Sequence, residues 1–467
     1  MMTRRVLMTS WLAAAMVVCA GTNAQAQKQA PPEGGPPKAF TVPAQVTYAL
    51  PNGLKVTLIP YGNIPKVTVD VTIVAGSADE GKDHEGVADL TAELMKEGTE
   101  KLTASQLADE AARMGSTLDV SSSYDRTDAG LDVLSEFGPN AVRLLADVVT
   151  HPRLPESELE RLKNDKLRQI AIGASQPQTV ALIHFRKILY GDHPYSVIQP
   201  SESDVKKIAI QDVKGYVDGN FNPKRTHIYV AGKFDLPAVK KAVVDSFGAW
   251  SATGPARTTH VPTPNPQRVL DVTDRPGAPQ STIMIGLPVA TADSPDSIPM
   301  QVTNALLGGS FNSRITANIR EQKGYTYSPF GAISSRYHDS YWVEQADVTT
   351  KFTGASLKEI VAEINRLAGE PPAAAELKGI QNYLSGLFIL RNSNRGALIS
   401  QLQNVDALGL ADDYLKTYVA KVNAVTPEGV QKMTTRYLKP SSMTIVVVGD
   451  KSKITEELAP FESGKAL

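Results

Sequence analysis

The chain has 467 residues, of which 42% are hydrophobic, 21% charged and 6% aromatic. That is enough for two to four domains of roughly 100–200 residues with sizeable cores. Basic residues number 48 and acidic residues 49, a formal net charge of −1, so charge gives no basis for a nucleic-acid or anionic-membrane partner.

Arg4 and Arg5, the short apolar run Val6–Val18 and the small-x-small triplet Ala24-Gln25-Ala26 predict a cleavable secretory signal over residues 1–26. The alternative, a membrane anchor, needs a longer run, and no later segment reaches the roughly 18 unbroken apolar residues of a membrane span. Cys19 is the only cysteine and lies inside this signal without the small residue that precedes a lipidated cysteine. The mature chain is therefore expected to lack disulfides, thiolate metal ligands and a lipid anchor. Residues 27–44, rich in Pro, Gly, Gln and Ala, predict a flexible leader.

From Val46 the pattern turns to strands. Val46–Leu50, Leu54–Pro60 and Lys66–Ala75 are β-rich, and Asn52-Gly53 between the first two signals a hairpin. Helices follow over Glu85–Lys96 and Ala104–Met114, the second capped by Thr103 and stopped by Gly115. A strand pair is predicted within Ser116–Leu134. Then come helices over Pro139–Val149, Pro155–Ile172 and Thr179–Tyr190, a helical region marked by Val205, Ile208 and Val213, the strand Thr226–Ala231 and a helix over 236–248. Ser251–Pro266, with four prolines, predicts a linker. The same order then restarts, with strands at Val269–Thr273 and Ser281–Leu287 and helices near 297–307 and 312–322. Strands follow over 328–349, then helices to about 438 and the strand Met443–Val448. Gly308-Gly309 reads as a turn before a helix. Strand runs followed by helix runs predict an α+β fold. The repeated order predicts two similar domains, 45–250 and 267–460, each a mostly antiparallel sheet packed with helices, from an internal duplication.

Several stretches resemble one family, the pitrilysin/insulinase-type (M16) zinc peptidases. They are Pro51-Asn52-Gly53-Leu54 with Val56, Gly76-Ser77-Ala78-Asp79-Glu80, and the helix Gly86–Thr99. In the second half they are Gly308-Gly309-Ser310-Phe311-Asn312-Ser313-Arg314-Ile315 and Ile319-Arg320-Glu321-Gln322-Lys323-Gly324-Tyr325-Thr326-Tyr327-Ser328. The resemblance covers about residues 45–455 and implies domains of the pitrilysin type forming half of a clamshell. Active members carry His-x-x-Glu-His on the first helix. Histidines at i and i+4 share one helical face and hold zinc, and the glutamate between them is the general base. The matching positions here are Asp89 and Glu93 for the histidines and Ala92 for the base. The further zinc-binding glutamate matches Gln169, 76 residues beyond Glu93. No two of the seven histidines are four apart, and His84 precedes the helix. The resemblance therefore implies a chain without metal or base of its own. Read from the residues alone, Asp89 and Glu93 are a solvated helix face.

The family's facing half supplies an Arg and a Tyr that contact substrate and its oxyanion. Seven residues apart in the motif, they match Arg320 and Tyr327. A permanent forked cation and a neutral phenol donor suit a developing oxyanion. Without the resemblance, Arg320 is a cation at a helix end and Tyr327 a buried aromatic entering a strand. The whole pattern is similar to the non-catalytic subunit of the family's heterodimeric bacterial systems. It implies a periplasmic, peptide-binding chain whose partner carries His-x-x-Glu-His and the zinc. The alternatives are a structural scaffold and a stand-alone peptide-binding protein.

Overall fold

The Asn52-Gly53 pair makes the first turn. Gly53 adopts φ +94°, a conformation that a Cβ disfavours. The Asn52 side-chain amide donates to the carbonyls of Phe247 (2.8 Å) and Trp250 (3.1 Å), tying the turn to the far end of the same half. In a computed structural model, which describes residues 41–252, 254, 257, 261–264 and 268–462, strands β1 (Val46–Ala49) and β2 (Lys55–Pro60) leave this turn antiparallel, with Val46 opposite Leu58. The expected signal, most of the leader and parts of the linker lie outside the described residues.

The first half continues with β3 (Lys66–Ile73), α1 (Val87–Met95), α2 (Ala104–Arg113), β4 (Asp119–Ser122), β5 (Thr127–Leu134), α3 (Gly138–Thr150), α4 (Glu156–Ser175), α5 (Pro177–Tyr190), α6 (Glu202–Lys207), α7 (Ile210–Asn220), β6 (Thr226–Gly232) and α8 (Leu236–Phe247). The second runs β7 (Val269–Asp274), β8 (Gln280–Pro288), α9 (Ser297–Asn304), β9 (Phe330–Arg336), β10 (Asp339–Thr349), α10 (Thr353–Gly369), α11 (Ala374–Arg391), α12 (Arg395–Ala407), α13 (Tyr414–Asn423), α14 (Pro427–Tyr437), β11 (Thr444–Gly449) and α15 (Lys451–Leu458). The fold is α+β, as the strand and helix runs predicted.

The sheets are ordered β1-β2-β6-β3-β5-β4 and β7-β11-β8-β10-β9. With β1 set aside the two orders correspond strand for strand. Each has one parallel pair, β2 with β6 and β7 with β11, and its other pairs are antiparallel. Two chain segments of unlike sequence have built one topology twice, which is what an internal duplication produces.

The halves are held together by an exchange of equivalent helices. Helix α5 of the first half lies on the second sheet, burying Ala181, Phe185 and Leu189 against Met284, Tyr341, Val446 and Val448. Helix α12, its counterpart, lies on the first sheet, burying Leu398 and Ile399 against Ile59, Tyr229 and Ala231. Polar pairs fix both contacts. His184 meets Asp271 at 2.6 Å and Gln178 donates to Asp347 at 2.8 Å. Across the other junction His227 meets Asp406 at 2.8 Å, Gln403 donates to Asp70 and Thr72 at 2.8 Å each, and Arg395 meets Asp132 at 3.1 Å. Each sheet is thus buried on both faces, one by its own half's helices and one by the other half.

One local expectation is revised. Gly308-Gly309 is not a turn but the end of a helix, in the π-helical segment Ala305–Gly309, and a second π-helical segment, Thr316–Gln322, follows it. Close packing explains the glycines. A Cβ at Gly308 would stand 2.0 Å from a Glu344 carboxylate oxygen, and one at Gly309 would stand 2.4 Å from the Asn304 amide nitrogen.

Candidate functional site

The first candidate site lies between α1 and α4. Its helix is positioned at the N-terminal end by Glu80, whose carboxyl accepts from the Gly86 and Ala88 amides at 3.0 and 2.8 Å. Burial, the main cause, pushes this carboxyl up to about 8 against those two hydrogen bonds. Asp89, Ala92 and Glu93 from α1 and Gln169 from α4 all line one cavity of about 320 Å³. The sequence-derived positions therefore converge in space, but their chemistry does not fit a metal. The Lys166 ammonium forms an ion pair with Asp89, placing a cation of the chain's own beside the carboxylate. Glu93 pairs with Lys96 at 2.6 Å. Ala92 offers no base, and Gln169 offers only an amide. Arg161, also lining the cavity, is engaged by Glu97, by Glu158 at 2.8 Å and by Asp165 at 3.4 Å. His84 is 3.5 Å from Asp212 and does not line the cavity. Among the described residues no three His, Cys, Asp or Glu side chains are placed to hold a metal ion.

The second candidate site is built on the two π-helical segments. Such turns are rare and recur at functional sites. Ile315 and Ile319 are fully buried, which pins one face of the second segment. Asn318 on the same segment donates to Glu363 at 2.8 Å and Glu359 at 3.0 Å. Gly324, at φ +66°, then reverses the chain. Tyr325 stacks on Phe352 with centroids 4.4 Å apart, and the Thr326 hydroxyl donates to the Asp347 carbonyl at 2.6 Å. With those two residues anchored, Tyr327 projects outward and is 79% exposed. It is not the buried aromatic that the residues alone suggested.

Arg320 and Tyr327 are brought together. The guanidinium lies over the Tyr327 ring at 5.1 Å and over the Phe311 ring at 4.4 Å, within cation–π range on both sides. Its ion-pair partner is Glu321 at 3.2 Å, itself largely exposed. The stack orders a long cationic side chain at the surface and leaves the Tyr327 hydroxyl without a hydrogen bond among the described residues. Phe311, 67% exposed, was not singled out from sequence, although it lies inside the stretch Gly308–Ile315. A large aromatic between two small polar residues in a loop was its only signal. No hydrogen bond, ion pair or ring contact among the described residues joins the Asp89 cavity to the Arg320 stack.

Two family profiles match the chain. Residues 56–199 match "Insulinase (Peptidase family M16)" and residues 207–384 match "Peptidase M16 inactive domain". An uncharacterized zinc protease of Bacillus subtilis is 25% identical over 391 residues, 82% of this chain and 93% of that protein. A non-peptidase homolog of Helicobacter pylori is 21% identical over 411 residues, 86% of this chain and 94% of that one. In structure, a peptidase M16 inactive domain from Pseudomonas fluorescens superimposes with a TM-score of 0.80 at 22% identity, covering 87% of this chain and 98% of that one.

Proposed function

The chain belongs to the insulinase-type M16 peptidase family as a non-catalytic member, and we propose that Asp89, Ala92, Glu93 and Gln169 stand where active members hold metal and base and that the chain is the substrate-binding subunit of a heterodimeric periplasmic zinc endopeptidase. The observation that carries this reading is the stack in which the exposed rings of Phe311 and Tyr327 flank the partly buried Arg320 guanidinium. With no three metal-ligating side chains grouped among the described residues, an exposed phenol on Tyr327 and a partly buried guanidinium on Arg320, stacked together, serve a site completed by another chain.

In this reading the partner carries His-x-x-Glu-His and supplies the metal and the base. This chain supplies binding and electrostatics. Arg320 and Tyr327 donate hydrogen bonds to the scissile carbonyl oxygen, and both bonds strengthen as negative charge develops on that oxygen. Phe311 and Tyr327 hold the guanidinium between them, so that little ordering remains to be done at the moment of reaction.

The test is kinetic. Co-expressed with its His-x-x-Glu-His partner and assayed on a quenched fluorescent peptide, the Tyr327→Phe variant is expected to lower kcat by roughly 10²–10³, the effect of removing one oxyanion donor. Unchanged turnover in an intact complex would sink the role. A scaffold would assemble with its partner yet leave cleavage indifferent to either residue.

A further inference from the structure

The duplicated fold places a second cavity where the family's metal cleft has its counterpart. In the first half the cleft lies between α1 and the early turns of α4, which pack together. In the second half the equivalent space lies between the π-helical end of the α9 segment and the early turns of α11, which also pack together. It too measures about 320 Å³, at the small end of ligand pockets. The topological correspondence of the two sheets makes these the same place in two copies of one fold.

Their linings differ in kind. Where the first cleft is crowded with mutually paired charges, the second is walled by Leu306, Phe311, Ile380 and Tyr383. Among the described residues its one lining carboxylate, Glu376, is held by the Arg314 guanidinium through two hydrogen bonds of 2.8 Å, so the lining presents no free charge. Ser310 also lines it. The Ser310 hydroxyl is buried, its residue only 8% exposed, and it has no hydrogen-bond partner among the described residues. A buried hydroxyl left single at the wall of an apolar pocket is a group awaiting a ligand's donor or acceptor. Phe311 is shared, since it faces this pocket and also carries the Arg320 guanidinium on its ring.

We propose that this cavity is a specificity pocket that takes one aromatic or long aliphatic side chain of an extended peptide, with Ser310 bonding to the peptide's backbone. The inference rests on the substrate-binding reading above and adds the class of side chain selected. Phe311 couples the two: a side chain seated against Phe311 brings its own backbone alongside Arg320. An acidic side chain is rejected, because the pocket offers it no cation and would strip its water.

Fluorescence anisotropy of the full chain with three labelled decapeptides, identical except for Phe, Ala or Asp at the centre, tests the pocket. The Phe peptide is expected to bind at least about tenfold more tightly than the Ala peptide, the gain from burying one large apolar side chain, and the Asp peptide most weakly. Tyr383→Ala, at a half-exposed position that the fold tolerates, is expected to bring the Phe and Ala peptides within about threefold of each other, while Arg320→Ala weakens all three alike. Peptides that bind equally, or a Phe preference untouched by Tyr383→Ala, would overturn the pocket and leave the Arg320 reading standing. A Phe preference lost with Tyr383 but binding indifferent to Arg320→Ala would uphold the pocket and overturn the clamp. Absence of binding by all three at millimolar peptide would overturn both.

Discussion

The junction beneath α12 makes stability depend on pH through Asp70. This side chain sits on β3, where its carboxylate accepts from Gln403 at 2.8 Å and from Thr72 at 3.3 Å. Burial first, and the neighbouring Asp128 carboxylate second, push it up from 3.8 to about 7, against the Thr72 hydrogen bond and the more distant Arg126. Around it Arg126 pairs with Asp128 at 2.8 Å, Asp132 pairs with Lys66 at 2.7 Å and Arg395 at 3.1 Å, and Asp119 adds a further carboxylate that pushes Asp70 up. The folded chain therefore holds a proton on Asp70 over a range in which the unfolded chain has released it. Stability from this group is full below about pH 4 and is lost as pH rises through about 7. Each tenfold change in proton affinity is about 1.4 kcal/mol, which sets a ceiling near ~4 kcal/mol. Asp70 keeps part of its surface in water, so about 2 kcal/mol is expected. Asp70→Asn keeps an oxygen that can accept from Gln403 and carries no charge to desolvate. In urea unfolding followed by circular dichroism, the variant is expected to match the parent near pH 4 and to exceed it by about 2 kcal/mol at pH 8. A difference that does not change with pH, or a variant weaker at pH 8, would refute the reasoning.

Two further outcomes follow from the same structure. Leu398→Ala, which opens a cavity where α12 meets the first sheet, is expected to cost about 2–5 kcal/mol; because the helix exchange joins the halves, calorimetry should show one transition moving as a whole, and a split into two transitions with one unmoved would count against that coupling. At the Asp89 cavity, where Lys166 already supplies the cation, the purified chain is expected to retain no zinc after dialysis by mass spectrometry, and a stoichiometric, tightly held ion would overturn the inactive reading of the cleft.

Much of the fold was legible because it follows from spacing. Strand β5 alternates buried and half-buried residues along nearly its whole length, and a period of two can be read from any window of sequence. Thr103 caps α2 through the Gln106 amide as the residue types implied. The exchange of α5 and α12 was not legible, since an apolar stripe such as Ala181, Phe185 and Leu189 says that a helix is covered, not which sheet covers it. The π-helical turns were not legible either, because the same residues are compatible with an α-helix, and the close packing of Glu344 and Gly331 on Gly308 is a tertiary contact that no local pattern reveals. The degenerate cleft was half legible. Its four positions came from the resemblance to the family's motif, but Lys166, the cation that meets Asp89, belongs to a different helix and follows no motif. The asymmetry between the sites has a physical basis. A metal site needs several ligands converging on one point, so loss of its imidazoles removes the function at once and frees the remaining positions to pair with whatever cation packs nearby. The proposed two-donor clamp needs only a backbone that aims Arg320 and a ring that holds it, and that backbone is set by Gly324 and the buried Ile315 and Ile319.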